Sequence, residues 1–149
     1  MRAVVQRVGS AVVETDGRAQ AAIDAGLLIY VGVSRCDEPG DAAYLAKKIA
    51  GLRIFPDDAG RMNLDVRQVD GQVLVVSAFT LMADARRGRR PSFEEAQRGQ
   101  AARTLYESFC EALVELDVSV KRGVFGADME VQCVNDGPVC ILIDSNKIF

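Results

Sequence analysis

Three short stretches carry residue types that could do chemistry. Ser77-Ala78-Phe79-Thr80 follows the apolar run 73–76 and supplies two hydroxyls and several backbone amides where a buried strand would end. Amides and hydroxyls at a strand end can hold the oxyanion that develops when an acyl carbonyl is attacked. The plainer alternative is that both hydroxyls satisfy backbone groups where the strand stops. Asn135-Asp136-Gly137-Pro138 separates the apolar runs 129–134 and 139–143, the arrangement expected of a hairpin turn. Glycine has no Cβ, so a ligand can approach its main chain closely, and the proline ring restricts movement of the same turn. A sharp turn with no further role is the alternative. Arg86, Arg87, Arg89 and Arg90 surround Gly88, a cluster suited to a few phosphates or, more plainly, a solvated charge run.

What the chain lacks narrows the chemistry further. Among 149 residues there is no histidine, so the commonest general base is absent and a zinc site of the usual kind is not expected. The four cysteines, Cys36, Cys110, Cys133 and Cys140, show no Cys-x-x-Cys spacing and read as reduced, small apolar side chains. No metal and no cofactor is expected. A net charge of −3 excludes a general polyelectrolyte clamp and leaves local capture of phosphates by the arginine cluster. No apolar run approaches the roughly 18 residues of a membrane span. The start, Met1-Arg2-Ala3-Val4-Val5-Gln6-Arg7, lacks the apolar stretch of a signal peptide, so a cytoplasmic protein is expected.

The elements that must position these stretches follow from periodicity. Residues 2–14 and 18–23 read as paired strands about an Asp16-Gly17 turn, and 27–33 as a strand buried on both faces. Pro39 opens a helical pattern with Ala42, Leu45, Ala46, Ile49 and Leu52 at spacings of three and four, ending near Gly51. Residues 56–60 form a loop and 72–81 another buried strand. Ser92 and Glu95 have the spacing of a capping box, which starts a long helix with an apolar stripe of Phe93, Ala96, Ala101, Leu105, Phe109, Leu113 and Leu116. Strands are expected at 118–122, 129–134 and 138–143. The result is one α/β domain over residues 1–149, in the order β-β-β-α-β-α-β-β-β. Mixed sheets carry two helices packed on one face in an α/β/β layering. Phe125 and Met129, in Phe125-Gly126-Ala127-Asp128-Met129, could flank a flat ring or belong to the core.

These segments together resemble the D-aminoacyl-tRNA deacylase family. Ser77-Ala78-Phe79-Thr80-Leu81 is similar to its Ser-Gln-Xaa-Thr motif, and Asn135-Asp136-Gly137-Pro138-Val139-Cys140 to its Asn-Xaa-Gly-Pro-Val-Thr motif. The likeness extends over residues 1–8, Arg61-Met62-Asn63, Arg89-Arg90-Pro91-Ser92-Phe93 and residues 125–129. It implies a homodimer that hydrolyses the ester between a D-amino acid and the 3′ end of tRNA. Glycine mischarged on tRNA for alanine is an implied substrate too. It further implies a cis bond before Pro138 and a Gly137-Pro138 turn that reaches into the active site of the other subunit. There the turn would act as a backbone wall that rejects L-aminoacyl groups. On this reading Ser77, Phe79 and Thr80 are catalytic, Ala78 lines the substrate site, Phe125 and Met129 bind the terminal adenosine, and the arginines contact tRNA phosphates.

The chain departs from the motifs at two places. Ala78 replaces a glutamine, which raises a second reading: a tRNA-end binding module with weakened catalysis. A third is an ester hydrolase of small acyl substrates. Cys140 replaces a threonine and, between Val139 and Ile141, is expected to be buried and structural.

Overall fold

Alternating side chains set the longest strands. The computed structural model describes residues 1–148, and in it β1 (Arg2–Thr15) alternates buried with half-buried positions along most of its length. Asp16 and Gly17, both at positive φ, turn the chain as a two-residue hairpin requires, and β2 (Arg18–Ile23) pairs back on β1. β3 (Gly26–Gly32) is buried at every residue but Tyr30, because other layers cover both its faces. α1 (Pro39–Ala50) starts on proline, whose missing amide hydrogen costs nothing in a first turn. Asp41 accepts the Glu38 N–H at 2.9 Å at that helix start.

Two crossovers follow. α1 links β3 to β6 (Gln72–Ser77), and α2 (Gly99–Glu115) links β6 to β7 (Ser119–Arg122); β3, β6 and β7 are parallel neighbours. β8 (Glu130–Asp144) runs antiparallel along β1, and the sheet order is β2-β1-β3-β6-β7 with β8 on the free side of β1. Within β1, residues 2–8 pair with β3 and residues 11–15 with β2, so the strand bends and carries β2 over the face of β3 and β6.

The core therefore has two compartments. Leu45, Ile49, Phe109 and Leu113 from the helices meet Leu27, Ile29, Val73 and Val75 on one face of the sheet. Leu28, Leu74 and Val76 on the other face meet Val8, Ala11, Val13 and Ile23 from the folded-over strands. This is the expected α/β/β layering, with both helices on one side.

Local differences from the sequence reading have physical causes. The strand expected over 72–81 stops at Ser77, where the chain tightens into a 3-10 turn over Phe79–Met82. Ser92 and Glu95 do not start the second helix. Ser92 instead exchanges backbone bonds with Asp84 (2.8 and 2.9 Å), and the Gln97 amide donates to Val33 at 2.9 Å. These bonds hold that segment extended, and α2 begins at Gly99. Ala101 is exposed, and the buried stripe runs through Ala102, Leu105, Tyr106, Phe109, Cys110 and Leu113. The loop at 56–60 is the tip of a small hairpin, β4 (Phe55–Pro56) with β5 (Met62–Leu64). The two last strands are one: residues 130–144 never turn back. Among the described residues no helix is long and apolar enough to cross a membrane.

Candidate active site

The apolar residues of β6 bury it against β3, and the strand delivers Ser77 to the carboxyl end of the parallel sheet. One more ladder bond, from the Ala78 amide to the Val31 carbonyl at 2.8 Å, fixes where the pairing ends. The chain then closes the 3-10 turn, with the Leu81 amide donating to Ala78 at 3.1 Å. The amides of Phe79 and Thr80 open this turn, and first-turn amides have no carbonyl partner within it. Both residues are exposed, Phe79 by 54%.

A cavity of about 840 Å³ lies beside this turn, within the size range of small-ligand sites. Ser77, Ala78, Phe79 and Thr80 form one wall, and Phe125 to Met129 another. The site residues inferred for acyl transfer and for adenosine binding thus meet in one space. Phe125 is held from two sides: its ring centroid lies 5.5 Å from that of Tyr106, and the Arg103 guanidinium sits 6.0 Å from it. Met129 packs against the second core compartment. Tyr106 donates its hydroxyl to the Val75 carbonyl at 2.9 Å, and burial drives its phenol far above the usual range. Burial also pushes the Cys110 thiol up to about 11. Neither group serves as a base or nucleophile near neutral pH. Among the described residues no group of three or more Cys, Asp or Glu side chains is placed to hold a metal ion.

Gly137 and Pro138 lie elsewhere. From Gln6 to Val8 on β1, the partner strand runs from Cys140 to Asn135, so β8 loops outward within a continuous strand rather than turning into a hairpin. The Gly137-Pro138 bond is cis, and both residues are exposed. Neither lines the cavity of its own chain. Gly137 has φ 124°, and a Cβ there would come within 2.7 Å of Val139 Cγ2, 3.0 Å of the Val139 amide nitrogen and 3.1 Å of Arg7 Nη2. Only glycine fits that place without displacement. Asn135 Nδ2 donates to the Val139 carbonyl at 3.1 Å and ties the two ends of the loop together.

Arg7 is the residue that sequence reasoning missed. Its guanidinium is nearly buried beneath the loop, donates to the Ile54 carbonyl at 2.5 Å, and lies 2.9 Å from Asp136 Oδ2. That second contact is an ion pair without a well-aligned hydrogen bond. An arginine in an alternating strand, at a position whose neighbours Val5 and Val8 are buried, was the available signal.

The arginines separate into two kinds. Arg86 is engaged by Asp84, at 2.6 Å, and lines a second cavity of about 600 Å³ with Met1, Arg2 and Asp144. Its guanidinium holds the Asp84 carboxyl well below the usual carboxylate range. Arg87, Arg89 and Arg90 are exposed. Cys140 is exposed too, against expectation: strand alternation turns Val139 inward and Cys140 outward, and among the described residues nothing covers it.

Comparison with known proteins identifies the family of the chain. A family model described as D-Tyr-tRNA(Tyr) deacylase matches residues 4–144. A D-aminoacyl-tRNA deacylase of Anaeromyxobacter dehalogenans (strain 2CP-C) is 55% identical over the full length of both chains, and one of Thermotoga petrophila is 52% identical, also over both full lengths. Among solved structures, a c-Myc DNA Unwinding Element Binding Protein superposes with TM-score 0.91 at 36% identity, covering 97% of this chain and 98% of its own. A structure described as a probable eukaryotic D-amino acid tRNA deacylase shares the fold, with TM-score 0.82 at 14% identity over 96% and 98% of the chains. A match across residues 4–144 and full-length relatives above half identity establish that the chain belongs to the D-Tyr-tRNA(Tyr) deacylase family.

Proposed function

We propose that the protein, as one domain over residues 1–149 acting in the cytoplasm, hydrolyses the ester joining a D-amino acid to the 3′ end of tRNA. It also clears glycine mischarged on tRNA for alanine. The observation that carries this reading is the shared cavity: Ser77 to Thr80 and Phe125 to Met129 line one space, and the exposed Gly137-Pro138 loop sits outside it. A pocket short of one wall and a loop short of a cavity complement each other in a homodimer. β8, on which Val134 and Leu142 are each more than half exposed, supplies apolar surface for such a contact.

The chemistry needs no histidine. An aminoacyl ester is already activated, so positioning and oxyanion stabilisation provide most of what hydrolysis requires. The amides of Phe79 and Thr80 donate to the ester carbonyl oxygen as water adds to the carbonyl carbon. The ribose 2′-hydroxyl orients the water. Collapse of the tetrahedral adduct expels the 3′-oxygen, which takes up a proton, and releases the free amino acid. Phe125 and Met129 flank the adenine, and Arg87, Arg89 and Arg90 approach acceptor-stem phosphates.

Handedness follows from exclusion. The partner's Gly137-Pro138 main chain stands where an L side chain would project, while a D side chain points to the open mouth. Glycine presents nothing for the wall to reject.

The methyl of Ala78 on the cavity wall keeps a second reading open, a tRNA-end binder with weak turnover. Deacylation of D-tyrosyl-, L-tyrosyl- and glycyl-tRNA separates the readings. The deacylase reading expects fast loss of the D and glycyl esters and persistence of the L ester. Equal loss of both tyrosyl enantiomers supports a general ester hydrolase. Tight binding without turnover, restored by Ala78→Gln, supports the binder. Near-normal turnover in Thr80→Ala favours the backbone amides over the Thr80 hydroxyl as the working group.

A further inference from the structure

We propose that Phe93 is a positioning residue that fixes the arginine loop to the Ser77–Thr80 turn, so that tRNA phosphates and the reacting ester are held in one register. This rests on the deacylase reading above.

The chain leaves the 3-10 turn at Met82, makes its arginine-bearing excursion, and returns through Ser92. Two backbone bonds between Asp84 and Ser92 close the base of that excursion. Beyond it, Arg35 donates to the Glu95 carbonyl at 3.0 Å and Gln97 to the Val33 carbonyl at 2.9 Å, which anchors the returning leg to the end of β3. A single pair of ladder bonds sets the separation of two legs but leaves the loop free to swing about it. Phe93 is the first residue outside that pair. Its ring meets Phe79 edge-on, with centroids 5.2 Å apart and planes at 70°, a favoured aromatic geometry.

Phe79 is more than half exposed and Phe93 half-buried, so the pair buries little apolar surface. Its consequence is geometric. Phe79 belongs to the turn whose amides face the ester, and Phe93 belongs to the stem that carries Arg87, Arg89 and Arg90. The contact joins the two directly, and Phe93 does not line the acyl cavity.

The test compares two substrates of the intact protein: D-tyrosyl-tRNA, which has phosphates for the loop, and D-tyrosyl-adenosine, which has none. Phe93→Ala is expected to raise KM for the tRNA substrate about 2- to 10-fold. Its kcat, and both constants for the adenosine ester, stay near wild type. Phe93→Tyr, which keeps the ring, restores the tRNA KM. Binding of uncharged tRNA, read without turnover, weakens by the same factor in Phe93→Ala, and Phe93→Leu replaces that variant if it fails to fold. Equal losses on both substrates, unchanged KM and tRNA binding, or no rescue by Phe93→Tyr would overturn the proposal. Wild-type protein that leaves D-tyrosyl-tRNA intact sinks the deacylase reading. A wild type that turns it over beside an unaffected Phe93→Ala sinks only the role of Phe93.

Discussion

Gly137→Ala adds an atom to the loop where the structure leaves little room. The new Cβ would stand 2.7 Å from Val139 Cγ2 and 3.0 Å from the Val139 amide nitrogen. Val139 is buried, and Arg7, the third neighbour, is held by Ile54 and Asp136, so the surroundings cannot give way cheaply. The residue also sits at φ 124°, where an L side chain is strained by about 1–3 kcal/mol. Relief comes by moving the loop. If that loop rejects L-aminoacyl groups in the partner's cavity, its displacement releases a discrimination of similar size, roughly 5- to 150-fold. The assay is kcat/KM for D- and L-tyrosyl-tRNA, with thermal unfolding measured on the same preparation. The D ester should be hydrolysed nearly as before, because the Phe79 and Thr80 amides are untouched, while the L ester becomes a substrate. A folded variant with an unchanged D/L ratio would refute the reasoning.

Other expectations follow from the same geometry. Replacing Arg87, Arg89 and Arg90 together with alanine should weaken tRNA binding and reduce its salt slope by about 2–3, and an unchanged slope would show that they touch no phosphate. The Asp84 carboxyl is depressed by the Arg86 guanidinium, so its contribution is present above about pH 4 and is lost only as the pH falls through the lowered value. Affinity for tRNA at fixed salt should therefore not vary between pH 5 and 8 on account of Asp84, and Asp84→Asn should leave that profile flat. Cys110 is fully buried with its thiol raised to about 11. Iodoacetamide at pH 8 should alkylate exposed Cys36 and spare Cys110, as mass spectrometry of the native protein would report.

Much of the frame was readable from periodicity. A buried strand at 27–33, another starting at 72 (read to 81, though it stops at Ser77) and a proline-initiated helix at 39 follow from apolar runs and helical spacing, since both signals are local. The errors arose where non-local pairing overrode a local signal. Ser92 and Glu95 have capping-box spacing, yet the backbone bonds of Ser92 go to Asp84 and the Gln97 amide goes to Val33, far back in the chain. Asn135-Asp136-Gly137-Pro138 has hairpin composition, yet both flanking runs pair with the same long β1, which turns the expected hairpin into a loop on a continuous strand. Residue types alone singled out Ser77 to Thr80 and Phe125 to Met129, but only the fold brings them to one cavity. Arg7 escaped because its role depends on Ile54 and Asp136, neither of which is near it in sequence.

The most direct measurement is a crystal structure with a non-hydrolysable D-tyrosyl analogue of the aminoacylated 3′ adenosine. Its carbonyl oxygen is expected against the Phe79 and Thr80 amides of one protomer, its adenine between Phe125 and Met129, and the Gly137-Pro138 loop of the partner closing the side that an L substituent would occupy. A ligand enclosed by one chain alone, with both loops facing solvent, would contradict it.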